Sequence, residues 1–265
     1  MTQDNDLKPS SSLLLVREMN GGIQVFMMRR SLKSNFGGIW VFPGGLLEEQ
    51  DKQTIENNHT DGINEAQSQD ILSLDQESLP YWVACLRETF EETGALLAKR
   101  ENKDTFIPTS SEIVKLDKLR TDLLNGDISF PKILGQLNLH LALDQMIYLS
   151  HWITPKVESK RYTTRFFISQ LSHQHTLKHD GIEGIESKWI DINDALKEYR
   201  GGRMSMIMPT IKNLELIKDF TKVDDLMNTM NNIDPKTILG IEPKFFLENG
   251  KWKGLLPGED GYEDH

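Results

Sequence analysis

Residues 87–94 read Arg-Glu-Thr-Phe-Glu-Glu-Thr-Gly, and they constrain the fold more than any other stretch. Glu88, Glu91 and Glu92 stand at i, i+3 and i+4, which on a helix is one face. Like charges so spaced cost a bare helix roughly 0.2–0.5 kcal/mol per pair, so something must offset the repulsion. A hard divalent cation does so, and oxygen ligands without Cys or His suit magnesium or manganese. Glu88, Glu91 and Glu92 are therefore the candidate metal ligands. A solvated acidic face is the ordinary alternative for an isolated run of this kind.

The helix itself follows from pattern. Leu79, Val83, Leu86, Phe90 and Leu97 recur at helical spacing and predict an apolar stripe. On that reading the acidic face points away from the core. Pro80 suits the first turn, and Gly94 suits the left-handed position just past the end.

What decides between a metal site and an acidic surface is the flanking sequence. Val41-Phe42-Pro43 leads into Gly44-Gly45, where the backbone can turn sharply and approach a ligand closely. Gly45, the acid Asp51, then Arg87, Glu88, Glu91, Glu92, Gly94 and the apolar Ala95 together resemble the signature box of the Nudix hydrolases. Asp51 stands where that family usually has Glu, and Thr89 at an inner apolar position. The family spacing would place the Arg at 59, which is His59 here. The Arg comes at 87, so the box is split by about 28 residues. The inserted stretch, 52–78, is rich in Asn, Gln, Asp, Glu and Ser. Such a composition predicts a polar surface loop beside the site, with a small helix allowed by Ile55, Ile63, Ile71 and Leu72. It either shapes substrate choice or is neutral.

A split box is similar to one Nudix branch, whose members include a peroxisomal acyl-coenzyme A diphosphatase. Trp152-Ile153-Thr154-Pro155, Arg161-Tyr162-Thr163-Thr164-Arg165-Phe166-Phe167, Pro209-Thr210 and the segment 256–262 also resemble that branch. Thr163 replaces its usual Asp. A coenzyme A motif upstream is matched by Arg30-Ser31, Gly38 and Phe42-Pro43-Gly44-Gly45, but its second Arg is absent.

The resemblance implies an α/β/α sandwich with a mixed sheet; pattern alone supports α/β or α+β. It also implies hydrolysis of a diphosphate in a small molecule, with Mg2+ or Mn2+ held by the three glutamates. The leading substrate is coenzyme A or an acyl-coenzyme A. Alternatives are NADH, a nucleotide sugar or a dinucleotide, or a non-catalytic binding module. The resemblance gives Arg87 the role of orienting a box carboxylate. The water's proton acceptor is left open among Glu88, Glu183 and Glu186. Gly44 and Gly45 would let backbone groups approach metal or phosphate. Asp51 is a candidate helix cap or support for the ligands. Arg161 and Arg165 could clamp substrate phosphates bidentately, against packing and ion pairing as the alternative. Tyr162 or Trp152 could stack on a base. His173, His175 and His179 have irregular spacing for a metal tract.

Composition narrows the partners. The net charge is −10 with no basic run, which excludes a phosphate-neutralising nucleic-acid surface. No apolar run is long enough to span a membrane. One cysteine, Cys85, excludes an internal disulfide, fits a reducing compartment and reads as a packing residue. Residues 1–12 lack the pattern of a signal peptide. The chain ends Glu263-Asp264-His265 rather than in a peroxisomal Ser-Lys-Leu address. The expectation is a cytoplasmic protein, with a homodimer left open.

Along the chain, 1–11 reads as a disordered start and 12–262 as one domain. Strands are predicted over 13–18 and 23–28, joined by a hairpin turn at Asn20-Gly21-Gly22. A short strand over 39–42 follows, then strands over 146–153, 163–169 and 186–190 and a helix over 192–199. A late hairpin turns at Asn249-Gly250. A helical appendage is predicted over 111–140 and C-terminal helices over 209–232.

Overall fold

The computed structural model describes residues 7–33, 37–171, 177–248 and 250–264. Leu13-Leu14-Leu15-Val16 is an unbroken apolar run, the pattern of a strand covered on both faces. It lies in β1 (Lys8–Met19), which turns through Asn20 and Gly21 into antiparallel β2 (Gly22–Arg30). Both turn residues have positive φ, 54° and 77°, as a two-residue hairpin turn requires. Of the stretch 1–11 expected to be a disordered start, residues 1–6 lie outside the described residues. Residues 8–11 are already strand, and Lys8 N–H donates to Arg161 O at 3.0 Å.

Short β3 (Trp40–Val41) joins β2, and β4 (Gly44–Leu46) joins the first half of β1. The 52–78 stretch then departs from the expected loop. It holds the end of α1 (Glu49–Glu56), β5 (Thr60–Asp61) and α2 (Glu65–Leu72). Its scattered apolar residues explain why: Leu72 is buried, and Ile55, Ile63, Ile71 and Leu74 pack against the core.

The box helix is α3 (Leu79–Thr93), with Pro80 in its first turn and Gly94 left-handed at φ 80° behind it. Its N-terminus is capped from the insertion. The Glu65 carboxylate accepts from Ser78 N–H at 2.8 Å and Leu79 N–H at 2.9 Å, satisfying donors no helix can satisfy alone. The predicted single apolar stripe is corrected: every residue of α3 except Glu88 and Glu91 is buried, and Leu97 lies beyond the helix.

Next come β6 (Ala98–Arg100), α4 (Ser110–Leu124), α5 (Phe130–Leu137) and β7 (Leu139–Ala142). The 111–140 helices are less peripheral than an appendage, since Phe130, Ile133 and Leu134 of α5 are fully buried in the core. Then β8 (Ile147–Ile153), β9 (Tyr162–Gln170) and β10 (Gly184–Asp191) complete the main sheet with β11 (Gly240–Ile241) at its edge. Its order is β10-β2-β1-β9-β8-β11, with β1·β9 and β8·β11 parallel and the remaining pairs antiparallel.

One sheet face, with Leu13, Leu15, Phe26 and Phe167, packs on α3 through Trp82, Leu86 and Phe90. The other, with Leu14, Val16, Val25 and Met27, packs on α6 (Ile192–Arg200), α7 (Met208–Ile217) and α8 (Val223–Asn231). The result is the expected α/β/α sandwich with a mixed sheet. The late hairpin, β12 (Lys244–Glu248) and β13 (Lys251–Leu255), forms its own two-stranded sheet. Among the described residues no helix is long and apolar enough to cross a membrane.

Candidate metal and active site

Three pieces of chain meet at the site: β4, the last two turns of α3, and the loop before β10. Arg87 is 0% exposed and organises the first two. Its Nε donates to Asp51 Oδ1 at 2.8 Å and its Nη2 to Leu46 O at 2.8 Å. Its Nη1 donates to Glu88 Oε1 at 3.0 Å and Glu91 Oε2 at 3.1 Å. Glu48 adds a carboxylate at 3.9 Å. Asp51, also 0% exposed, accepts Glu48 N–H at 2.7 Å, so it caps α1 while it holds Arg87. Burial works against the charge on Arg87, but Glu88, Asp51 and Glu91 overcome it and raise its pKa.

Glu92 points the other way. Its Oε2 accepts Gly44 N–H at 2.8 Å. Gly44 has φ 154°, and a Cβ there would overlap Ser11 O and Ser12; a Cβ on Gly45 would overlap the Glu88 carboxylate. The two glycines thus let β4 lie directly against the acidic face of α3.

The carboxylates outnumber the cations. Burial, then repulsion from Glu91 and Glu183, lifts Glu88 to about 8 against the pull of Arg87. Burial, then Glu88, pushes Glu92 well above the carboxylate range, with Glu183 contributing. Burial also raises Glu91. Desolvation and mutual repulsion of this kind make a neighbouring cation favourable. The donor set is all oxygen and fits a hard divalent ion. As the side chains stand, the glutamates face Arg87 and Gly44, and among the described residues no three ligating side chains converge on one point. Each of the two carboxylates on Arg87 Nη1 uses one oxygen there, Glu88 Oε1 and Glu91 Oε2, and keeps its other oxygen off the guanidinium.

Of the other candidates, Glu183 lies within electrostatic reach of both Glu88 and Glu92, with its carboxylate 3.9 Å from Arg30. Glu186 instead pairs with Arg29 at 3.6 Å on β10. Arg30, which the sequence reading tied only to an incomplete motif, is thus at the site.

Arg161 and Arg165 are not brought to the carboxylates. Arg161 is buried, donating to Glu242 at 2.8 Å and Thr154 O at 3.0 Å. Arg165 is buried too, donating to Leu72 O at 3.0 Å and lying 4.7 Å from the Tyr81 ring centre. Tyr81 is in the first turn of α3, about 10–16 Å along the axis from the glutamates at 1.5 Å per residue. Trp152 is 4% exposed within the core, so it offers no stacking face; Tyr162 is half-buried at the start of β9. Cys85 is fully buried and free, as a packing residue should be. His173 and His175 lie outside the described residues.

Comparison with known proteins agrees with this geometry. The family model for the NUDT19 Nudix domain matches residues 8–217. The chain is 25% identical to the acyl-coenzyme A diphosphatase NUDT19 of Xenopus laevis, over 91% of this chain and 72% of that protein. It is 23% identical to the putative nudix hydrolase 7 of Caenorhabditis elegans, over 81% of this chain and 63% of that one. A crystal structure of a NUDIX hydrolase from Alicyclobacillus acidocaldarius shares the fold, with TM-score 0.68 and 23% identity, over 86% of this chain and 98% of that one. With its split box assembled around Arg87, the chain belongs to the Nudix hydrolase family, in the group defined by the NUDT19 Nudix domain.

Proposed function

We propose that this Nudix hydrolase is a divalent-metal-dependent pyrophosphohydrolase acting on coenzyme A or an acyl-coenzyme A. The products are a 4′-phosphopantetheine compound and adenosine 3′,5′-bisphosphate. The observation that carries the metal requirement is the surplus of desolvated carboxylate at Glu88, Glu91 and Glu92 over the single guanidinium of Arg87. Support for the coenzyme A class comes from the named activity of the Xenopus laevis relative and from Arg30 beside the site.

Glu88, Glu91 and Glu92 would hold Mg2+ or Mn2+. When bound, the cation neutralises charge on the diphosphate and makes water more acidic. Arg87 holds Glu88 and Glu91 in register and is itself fixed by Asp51. Gly44 N–H orients Glu92, and the bare backbone at Gly44 and Gly45 lets β4 lie against the carboxylates of α3. Glu183 would take the water's proton: its carboxylate is 60% exposed and within electrostatic reach of Glu88 and Glu92. Hydrolysis adds hydroxide to one phosphorus and returns a proton to the departing phosphate. A reducing compartment such as the cytoplasm suits the lone free thiol.

The absent second Arg of the coenzyme A motif favours a second reading, in which the substrate is another nucleoside diphosphate compound. One experiment separates the two: magnesium-dependent turnover of coenzyme A, a medium-chain acyl-coenzyme A, NADH, ADP-ribose and a diadenosine polyphosphate, with products identified by mass. Adenosine 3′,5′-bisphosphate from a coenzyme A compound is the expected result. Turnover of another compound alone overturns the substrate. No turnover with either metal overturns the hydrolase reading and points to a binding module.

A further inference from the structure

Arg120, on α4, has no part in the sequence motif, yet it joins two halves of the site. Its side chain is buried, with Arg120 8% exposed. Nε donates to Glu91 O at 2.8 Å, one of the carbonyls that the last turn of α3 leaves without an intrahelical partner. Nη1 donates to Lys178 O at 3.0 Å. Lys178 N–H in turn donates to Thr93 O at 3.0 Å. The guanidinium therefore pins the 177–180 segment against the end of the helix that bears Glu88, Glu91 and Glu92.

That segment leads directly to Glu183. Asp180 accepts Glu183 N–H and Gly184 N–H, each at 2.9 Å, closing a turn. Ser31 N–H donates to Glu183 O at 2.7 Å from the opposite side. The main chain of Glu183 is thus fixed by Ser31, just past β2, and by the Asp180 turn, whose root is held by Arg120. A lysine, with one compact ammonium, does not reproduce the planar fork that reaches two carbonyls at once.

We propose that Arg120 is a positioning residue that sets Glu183 against the metal-binding carboxylates, so that α4 takes part in catalysis. The inference rests on the reading of Glu183 as proton acceptor. It makes the effect of Arg120 on turnover pass through Glu183.

The test is a double-mutant cycle in the full-length protein with Arg120→Met, Glu183→Gln and both together. The readouts are kcat, KM and magnesium affinity on the substrate identified by the panel. Glu183→Gln should lower kcat by about 10²–10⁴-fold, the usual loss of a general base. Arg120→Met should lower kcat by about 10–100-fold, as a misplaced catalytic group does, with KM and magnesium affinity within threefold of wild type. The double variant should be no slower than Glu183→Gln alone. Should Arg120→Met fail to fold, Arg120→Lys replaces it in the same cycle. Amide exchange over 177–184 should then rise while Gly94 stays protected. Multiplicative losses, or an Arg120 variant with full kcat, overturn the inference alone. An unimpaired Glu183→Gln overturns the base assignment and the inference with it.

Discussion

Asp51→Ala tests whether the two halves of the box are joined as the geometry says. Asp51 accepts three hydrogen bonds in which a charge takes part, from Arg87 Nε at 2.8 Å, Arg87 Nη2 at 3.3 Å and Glu48 N–H at 2.7 Å, and it is fully buried. Removing one partner of a buried ion pair costs about 3–5 kcal/mol when the other charge is left uncompensated. Arg87 is not left so. Leu46 O, Glu88 and Glu91 stay within 3.1 Å of it. The cost should therefore fall at the low end, about 3 kcal/mol, measured by urea unfolding in the presence of a chelator. A second effect goes the other way along the same bonds. Without Asp51, Arg87 is less firmly fixed, and Glu88 and Glu91, which it holds, are less well placed to take an ion. Loss of such a supporting group typically weakens metal binding about 10–100-fold, and the low end is expected here, read by calorimetric magnesium titration. Destabilisation under about 1 kcal/mol together with unchanged magnesium affinity would refute the reasoning.

Other substitutions probe single links. Glu92→Gln should reduce turnover by at least about 10³-fold. Because it removes a desolvated charge, it should leave the metal-free protein as stable as wild type or up to about 1 kcal/mol more so; a loss above about 2 kcal/mol contradicts this. Gly44→Ala meets backbone at Ser11 and should cost about 3 kcal/mol or more. Gly45→Ala meets only the flexible Glu88 side chain, so turnover should fall with little change in Tm. His151 has its pKa pushed down to about 4, by burial and then by Arg165. A depressed histidine gives stability that is complete above its unfolded value near 6.5 and lost as pH falls toward 4. Partial exposure discounts the full shift to about 2 kcal/mol. His151→Gln, which can keep the bond to Thr163, should flatten stability over that window; an unchanged slope rules it out.

Local chemistry was legible in the sequence, and distant partnership was not. The first hairpin and the Gly94 stop follow from residues close in sequence, whereas the α/β/α layering is implied by the family resemblance and pattern alone reaches only α/β or α+β. The box carboxylates stand out by their spacing on one helix face, but it is the flanking residues resembling the Nudix box that turn that spacing into a metal-site expectation. For Arg161 and Arg165 the sequence leaves a phosphate clamp and packing with ion pairing both open, because an arginine beside aromatic residues looks the same in either case. The partners that decide, Glu242 and Leu72, lie 81 and 93 residues away. The 52–78 stretch misled for a related reason. Its mean polarity describes the outer face, while Ser68 accepts from Trp82 Nε1 at 2.8 Å and Leu72 enters the core. Nothing in the sequence distinguishes Arg120 from the other charges of its amphipathic helix.

Asp51 and Arg87 touch across a sequence separation of 36, where the uninterrupted family spacing would leave eight. That lengthening is just over two doublings of a loop, about 1.3 kcal/mol of closure entropy. A single charge-assisted hydrogen bond between the two is of the same size. Covalent nearness is therefore a weak requirement for this site, and a gene can lengthen or replace the chain between the two halves at little thermodynamic penalty. The replacement must bring the clasp back and supply an acid to the start of α3, as Glu65 does.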